Sequence, residues 1–587
     1  MKKIISLILS VVMVFTIGSV SFGVDAFAEE TTAPEVSITD QIPSEVMEIA
    51  PILVESVKQS LSYLNFSNFR LPTSTDDFTD MLLKFLYGIV DVLIDVVLKA
   101  INLVVPSVNF ADKDTYENDQ FYAGMDEYLA TPAPGAVWSI GYGSGSIQTG
   151  DELDGKHYVG GSLSFPAAKC ATAVYDDQRV RCVALDDGSG RGKIVIAVVD
   201  GFGLSNTDVA GIRAQLADFA QANDIVGINI SVLHQHSCID TFGMNGDLLK
   251  MVFTNPAANI ANNLFGADFE LLDGRNKAFM ENLYNVTVDA VETAVETMEE
   301  GKLYYSTTDV EDLVREKRDP YVIDADLHKF RFVPADGGRE TWIVNSPIHC
   351  VGNGAAGTEV TGDYPYYMEQ VIDKREDANL MVVLGAELAI SSDYEPLNLP
   401  ENYDSIEGIN AYGTELANRL IDKATAEVEV EPLLNCKMGQ YYVPVTNQIL
   451  LFAGKLGAIS NTVVGLDKID FNAEILTEIG YLELGTDLAI ALVPGELEAA
   501  IAYGGCLQGA DSWTGEDFDY PSMQEVVGTD KKLLVFGLMN DQVGYILPDN
   551  EFKSLLAGEN EEIVASGNKA GSATITAFME LVDSIER

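Results

Sequence analysis

The chain is poor in the residues that carry metal and acid–base chemistry: five histidines and six cysteines occur in 587 residues. So few cysteines exclude a small scaffold stapled by a dense disulfide framework, and sequence alone does not choose among their pairings. Basic residues are scarce too, 36 Lys and Arg against 90 Asp and Glu, for a net charge of −54. Such an acidic surface repels nucleic acid and anionic lipid head groups, which excludes DNA and RNA as partners. There is no internal repeat and no low-complexity tract. At 47% hydrophobic the chain can bury a large core, which excludes a disordered acidic tail.

What is present begins with an export signal. Lys2 and Lys3 precede an apolar run from Ile4 to Val20, and Ala26-Phe27-Ala28 suits cleavage before Glu29. Losing residues 1–28 removes two lysines and one aspartate and takes the net charge from −54 to −55. A secreted or cell-envelope location follows. Residues 29–45 are polar and rich in Pro and Thr, as suits a linker. Helices are expected over 45–66 and 78–106. In the second, Lys84, Asp91, Asp95, Lys99 and Asn102 form one narrow polar stripe on an otherwise apolar surface. A membrane span is excluded, because each aspartate near the bilayer centre costs roughly 3 kcal/mol. The stretch is expected to pack into a helical subdomain, with peripheral membrane contact through residues 78–106 as the alternative. Residues 29–135 are therefore set apart as a linker and helical accessory segment.

From residue 136 to 587 strands alternate with helices. Apolar β-like runs fall at 193–199, 227–233, 341–348, 379–384, 488–493 and 532–538; helical stretches fall at 208–223, 277–300, 364–374 and 406–428. This alternation predicts an α/β domain with largely buried strands. The Gly-rich pieces at 141–146 and 201–203 lack the strand–loop–helix setting of a dinucleotide fingerprint, and the spacing suggests turns.

Each major strand finishes in polar groups. The run at 193–199 ends at Asp200, 227–233 at His234 and His236, and 341–348 at His349. The run at 488–493 meets Pro494-Gly495-Glu496, and 532–538 leads to Asn540-Asp541 and Tyr545. Ligands of open α/β folds bind outside the carboxyl ends of strands. Alternation along a strand would put His234 and His236 on one side of the sheet. Two imidazoles and a carboxylate are the ligand set of hydrolytic zinc sites. Cys238 and Cys350 beside them are metal ligands, a disulfide or small buried residues, the last being the default. Asp200 is expected to brace the site, Ser391 to touch substrate, and His157 and His328 to be ordinary.

Several segments also match a known pattern in order. They are Ile140-Gly141-Tyr142-Gly143-Ser144-Gly145-Ser146-Ile147 (there an opening strand), Arg181-Cys182-Val183-Ala184-Leu185-Asp186-Asp187, Val232-Leu233-His234-Gln235-His236-Ser237, Lys317-Arg318-Asp319-Pro320 with Asp324-Ala325-Asp326-Leu327, Asn345-Ser346-Pro347-Ile348-His349, Val493-Pro494-Gly495-Glu496, and Gly537-Leu538-Met539-Asn540 through Tyr545. In them the chain from 136 to 587 resembles the catalytic domain of the neutral/alkaline (non-lysosomal) ceramidases. The resemblance implies a mixed β-sheet core with flanking helices. It implies zinc held by His234, His349, Glu496 and Tyr545, with His236, Arg318 and Tyr545 in catalysis. The implied activity is cleavage of the N-acyl amide of ceramide or a related acylated lipid, a lipid-like substrate. The alternatives are a zinc hydrolase of another amide or ester, or a non-catalytic surface-binding protein. Two segments depart from the family's pattern where substrate would dock, Cys238-Ile239-Asp240 and residues 385–393.

Overall fold

The apolar runs fold as strands of two sheets in the computed structural model, which describes residues 60–64, 72–102, 110–161, 169–352, 357–399, 406–465, 473–555, 557 and 561–586. The larger sheet is mixed. Its main path runs Ala378–Leu384, Glu340–Ser346, Asp326–Pro334, Glu299–Asp309, Trp138–Ser146, Arg179–Asp186, Lys193–Val199, Ile225–Val232. Val428–Val430 pairs alongside Glu299–Asp309. The second sheet is built on the long antiparallel pair Leu434–Val445 and Ala473–Leu484, extended by Leu488–Leu492 and Lys532–Phe536. All six expected strands are present, with ends within two residues of those expected. The fold is α/β with a mixed sheet and flanking helices.

Two expected helices overran. Those at 277–300 and 406–428 stop at Glu296 and Asp422. The residues beyond them enter Glu299–Asp309 and Val428–Val430, which pair with each other. The sheet's own pairing overrides helical propensity there. The segment at 141–146 is also not a turn. It lies within the strand Trp138–Ser146. Its glycines let helix Lys277–Glu296 press onto the sheet: a Cβ on Gly141 or Gly143 would sit 1.9 or 2.1 Å from the carbonyl oxygens of Ala294 and Ala290.

The two sheets meet at the carboxyl ends of their strands, and polar side chains inside apolar runs make the joint. Asn345 donates to the carbonyls of Val383 (3.1 Å) and Val535 (2.9 Å). Ser231 donates to Gly537 O (2.9 Å). Asn540 accepts from Ile230 N through its side chain (2.9 Å) and returns its own N–H to Ile230 O (2.7 Å). These groups are buried, where an unmade hydrogen bond costs roughly 1–3 kcal/mol, so the joint is strongly specified. It lies directly behind His234, His349, Glu496 and Tyr545.

The signal residues and most of the helix expected at 45–66 lie outside the described residues. The second expected helix is present as Thr75–Asn102. Its polar stripe faces inward. Lys99 pairs with Asp95 at 2.8 Å, and Ser60 bonds both. Asn102 donates to the carbonyl and side-chain oxygens of Gln448 (3.3 and 3.1 Å). Asp91 meets Ser554 and the Leu555 backbone. Among the described residues no helix is long and apolar enough to cross a membrane.

Burial raises the Asp91 carboxyl from 3.8 to about 6, against the pull of its hydrogen bonds to Ser554 and Leu555. The docked value exceeds the free one, so this contribution is full below the free pKa and is lost as pH rises through the docked value. The helix is therefore expected to be held more firmly at about pH 5 than at about pH 7.5. Amide exchange over residues 75–102, corrected for intrinsic rates, should be slower at the lower pH, and Asp91→Asn should remove the difference.

Candidate metal centre

His234 departs from the strand rather than continuing it. Ile225–Val232 has already ended, and His234 takes a left-handed backbone conformation (φ 44°). This turn, not strand alternation, brings His234 and His236 together, so the expected cause is corrected while the pairing stands. The ring centroids of His234, His236 and His349 are each 4.9 Å apart. Gly161 presses against His236: a Cβ there would lie 2.2 Å from its Cα, and the backbone at Gly161 is left-handed (φ 87°). Phe202 packs against both His234 and His236, with centroids at 4.5 and 5.4 Å.

Nδ1 of His234 lies 2.7 Å from the carbonyl oxygen of Phe202. A carbonyl only accepts, so Nδ1 carries the proton and Nε2 carries a lone pair. Nε2 faces Glu496 Oε2 at 3.3 Å, and His349 Nε2 faces the same oxygen at 3.8 Å. Glu496 Oε2 is buried and has no hydrogen-bond partner. His236 Nε2 lies 3.0 Å from His349 Nε2. Burial holds all three imidazoles below their usual pKa, His236 at about 4, and the neighbouring rings add to this for His234 and His349. Burial also raises the Glu496 carboxyl to about 8, so in the metal-free chain a proton on that carboxyl can bridge to the lone pair of His234 Nε2. A cation bound among these donors would take that proton's place. Tetrahedral donors at ~2.0–2.1 Å from a zinc-like ion would stand roughly 3.3–3.4 Å apart, close to the separations found. The donor atoms of His234, His236 and His349 all lie within 4.8 Å of one another and can hold a metal ion.

The expected residues divide as follows. His234, His349 and Glu496 converge as anticipated, but the metal-capable histidine trio includes His236, to which the resemblance gave a proton-transfer role. Tyr545 pairs in register with Glu496 in a short parallel ladder, and its phenol bonds the Glu496 carboxylate. Burial and that carboxylate keep the phenol protonated. Arg318 is buried, and its guanidinium bonds Glu562 (2.6 Å) and the Glu551 carbonyl and approaches Glu561 (3.7 Å), rather than the histidines. Asp200 braces the site: it pairs with Arg181 at 2.9 Å and accepts from Gln235, between the two histidines, at 3.3 Å. Ser391 is buried in Ile390–Ser392, and Ile390 O accepts the His349 N–H at 3.1 Å. Cys238 and Cys350 are unpaired, and burial pushes both thiols up, so they pack as small apolar groups. His157 and His328 bond to Asp154 (3.2 Å) and Asp324 (2.8 Å), away from the trio.

Three contributors were not anticipated. Gln542 donates to Glu496 Oε1 at 3.1 Å and so aims Oε2 at the histidines. Phe202 fixes the His234 tautomer through its carbonyl. Glu387 is fully buried with both carboxylate oxygens unpartnered, and Glu496 and Glu498 reinforce the rise of its pKa caused by burial. A lone charge inside the apolar run Gly385-Ala386-Glu387-Leu388-Ala389-Ile390 was its one visible signal.

Searches for family models and for curated relatives return no match to this chain. Solved structures do match. A crystal structure of neutral ceramidase from Pseudomonas aeruginosa superposes with a TM-score of 0.54 at 14% identity, covering 76% of this chain and 74% of that one. A ceramidase complexed with C2 gives 0.53 at 14% identity, over 76% and 75%. They share one fold. At this identity the likeness fixes the architecture, and the chemistry rests on the donors described above.

A metal ion at the trio is expected to stabilise the folded chain. At a free concentration of a hundred times Kd the gain is about 2.7 kcal/mol, visible as a rise in Tm when zinc is added to chelator-treated protein. His349→Ala should lose most of that rise, and Glu496→Gln part of it.

Proposed function

We propose that this chain is an exported zinc amidohydrolase that cleaves the N-acyl amide bond of ceramide or a related acylated lipid. The observation that carries the proposal is the set of buried metal-ligating side chains, His234, His349 and Glu496, facing one another at the strand ends of a fold shared with neutral ceramidase. The export assignment rests on residues 1–28, and the lipid substrate on the fold likeness together with the ordered motifs.

His234, His349 and Glu496 would hold the zinc, with Tyr545 beside Glu496 as the remaining ligand. Zinc bound there supplies Lewis acidity to an amide carbonyl and acidifies water. His236 is neutral at physiological pH, so its free nitrogen can accept a proton from water and return it to the departing amine nitrogen. The Tyr545 O–H can donate to the oxyanion of the tetrahedral species. Arg318 adds positive charge from its anchor on Glu562. Water adds across the C–N bond, and the products are a carboxylate and a free amine. Phe202, packed over two of the histidines, limits the water that reaches them.

A second substrate reading, another amide or ester, is favoured by one observation. Segment 385–393 places the unpartnered carboxylate of Glu387 next to Glu496 in electrostatic terms, which suits a substrate with a donor group near the scissile bond. Purified chain with zinc should hydrolyse an N-acyl lipid. His236→Ala should lower kcat by about 10²–10⁴-fold with zinc content unchanged. Loss of zinc in that variant makes His236 a ligand instead. Zinc retention with no hydrolysis of any acylated amide or ester leaves a non-catalytic binding role.

A further inference from the structure

Helix Thr75–Asn102 is mounted inside out. Its charged and amide side chains Asp91, Asp95, Lys99 and Asn102 are buried, whereas Leu82, Leu83, Leu86, Ile89, Leu93, Val97 and Ile101 are exposed, Leu93 by 59%. Among the described side chains, every exposed position from 82 to 102 is Leu, Ile or Val. With Phe78 (54% exposed) the positions recur at intervals of three and four, so they form one continuous stripe. At ~1.5 Å per residue the stripe is roughly 35 Å long. Isolated exposed leucines need no explanation; an unbroken stripe of this length marks an interaction surface.

The helix is tied to the site. Lys84 sits over the Trp513 ring (4.9 Å), and Trp513 N–H donates to the side chain of Glu551 (2.8 Å), whose backbone carbonyl accepts from Arg318. Asp91 holds the adjoining residues Ser554 and Leu555. A second helix, Leu248–Phe265, follows the loop that carries His234 and His236 and bears Phe253 (77% exposed) and Phe265 (80% exposed). Both helices fasten to Gln448–Leu456: Asn102 through Gln448, and Asn255 through the Leu456 carbonyl at 2.6 Å. Both helices with exposed apolar residues thus share one anchoring segment, Gln448–Leu456.

We infer that the stripe on Thr75–Asn102 docks the protein on a neutral lipid surface. Charge decides the occupant. A net charge of −54 opposes pairing with a second copy and repels anionic head groups, whereas an uncharged apolar stripe gains by entering a zwitterionic interface. Interfacial helices ordinarily turn a charged face to water; here the body of the protein covers that face, and the acyl-chain side is left free. The inference goes beyond the hydrolytic proposal, and binding can be measured without catalysis.

The test is co-sedimentation of the full chain with phosphatidylcholine vesicles, compared with the doubly substituted Leu86→Glu, Leu93→Glu chain. Both positions are exposed, and unchanged Tm and unchanged hydrolysis of a short, soluble N-acyl substrate report that the fold and centre are intact. The wild type should partition at least tenfold more strongly than the variant, and phosphatidylserine vesicles should bind less than phosphatidylcholine ones. Residues 1–28 are the same in both chains, so binding through that apolar leader would appear as equal partition, which overturns the inference. It is equally overturned if the wild type stays in solution, or if sedimentation shows a dimer that the substitutions dissociate. Failure of vesicle binding with hydrolysis intact leaves the amidohydrolase proposal standing, and the converse result leaves the docking surface standing.

Discussion

The arrangement that the rest of the structure serves is a pair of buried donors, His234 Nε2 and Glu496 Oε2, held 3.3 Å apart. In an interior of low dielectric such an opposition is costly unless a proton or a cation lies between the two atoms, and burial raises the Glu496 carboxyl to about 8. The surroundings enforce it from both sides. The Phe202 carbonyl holds the imidazole proton on Nδ1, and Gln542 ties down the other carboxylate oxygen. Burial and the neighbouring rings keep His349 neutral, and burial lowers His236 to about 4, so the proton that a cation would replace sits on the Glu496 carboxyl rather than on these rings.

Keeping such a pair facing each other requires stiffness behind it, and the joint between the sheets provides it. His234 and His349 follow strands of the larger sheet; Glu496 and Tyr545 follow strands of the smaller one. Ser231, Asn345 and Asn540 bond across the join, three, four and five residues before His234, His349 and Tyr545 respectively. The same architecture occurs in neutral ceramidase at 14% identity, so packing of this kind survives extensive replacement of side chains. The accessory helix uses a related device in reverse, burying its charges against the body and leaving its aliphatic residues outside.

Much of this was legible in the sequence, for identifiable reasons. Short, continuous apolar runs have few ways to be satisfied other than as buried strands, and scarce histidines placed after them have few structural uses. The polar residues within those runs, Asn229, Ser231 and Asn345, were visible as interruptions, but their partners, such as Gly537 and Val535, are too distant in sequence for any local pattern to pair them. The left-handed turn at His234 was hidden for a similar reason: tertiary contacts impose it, and histidine does not advertise it. The direction of helix Thr75–Asn102 could not be read, because an amphipathic pattern is the same whichever face is docked. Helices ran long at 277–300 and 406–428, where pairing between remote strands settled the ends. Gln542 and Phe202 were missed because one acts through an amide and the other through a backbone carbonyl, and neither type marks a site by itself.

X-ray absorption at the zinc edge on the zinc-loaded chain tests the central claim most directly, since it reports the atoms around the ion. A first shell of imidazole nitrogens and carboxylate or phenol oxygen at ~2.0–2.1 Å, with the outer-ring signature of at least two histidines, is the expected result. A shell of water oxygens alone, or of sulfur at ~2.3 Å, would contradict it.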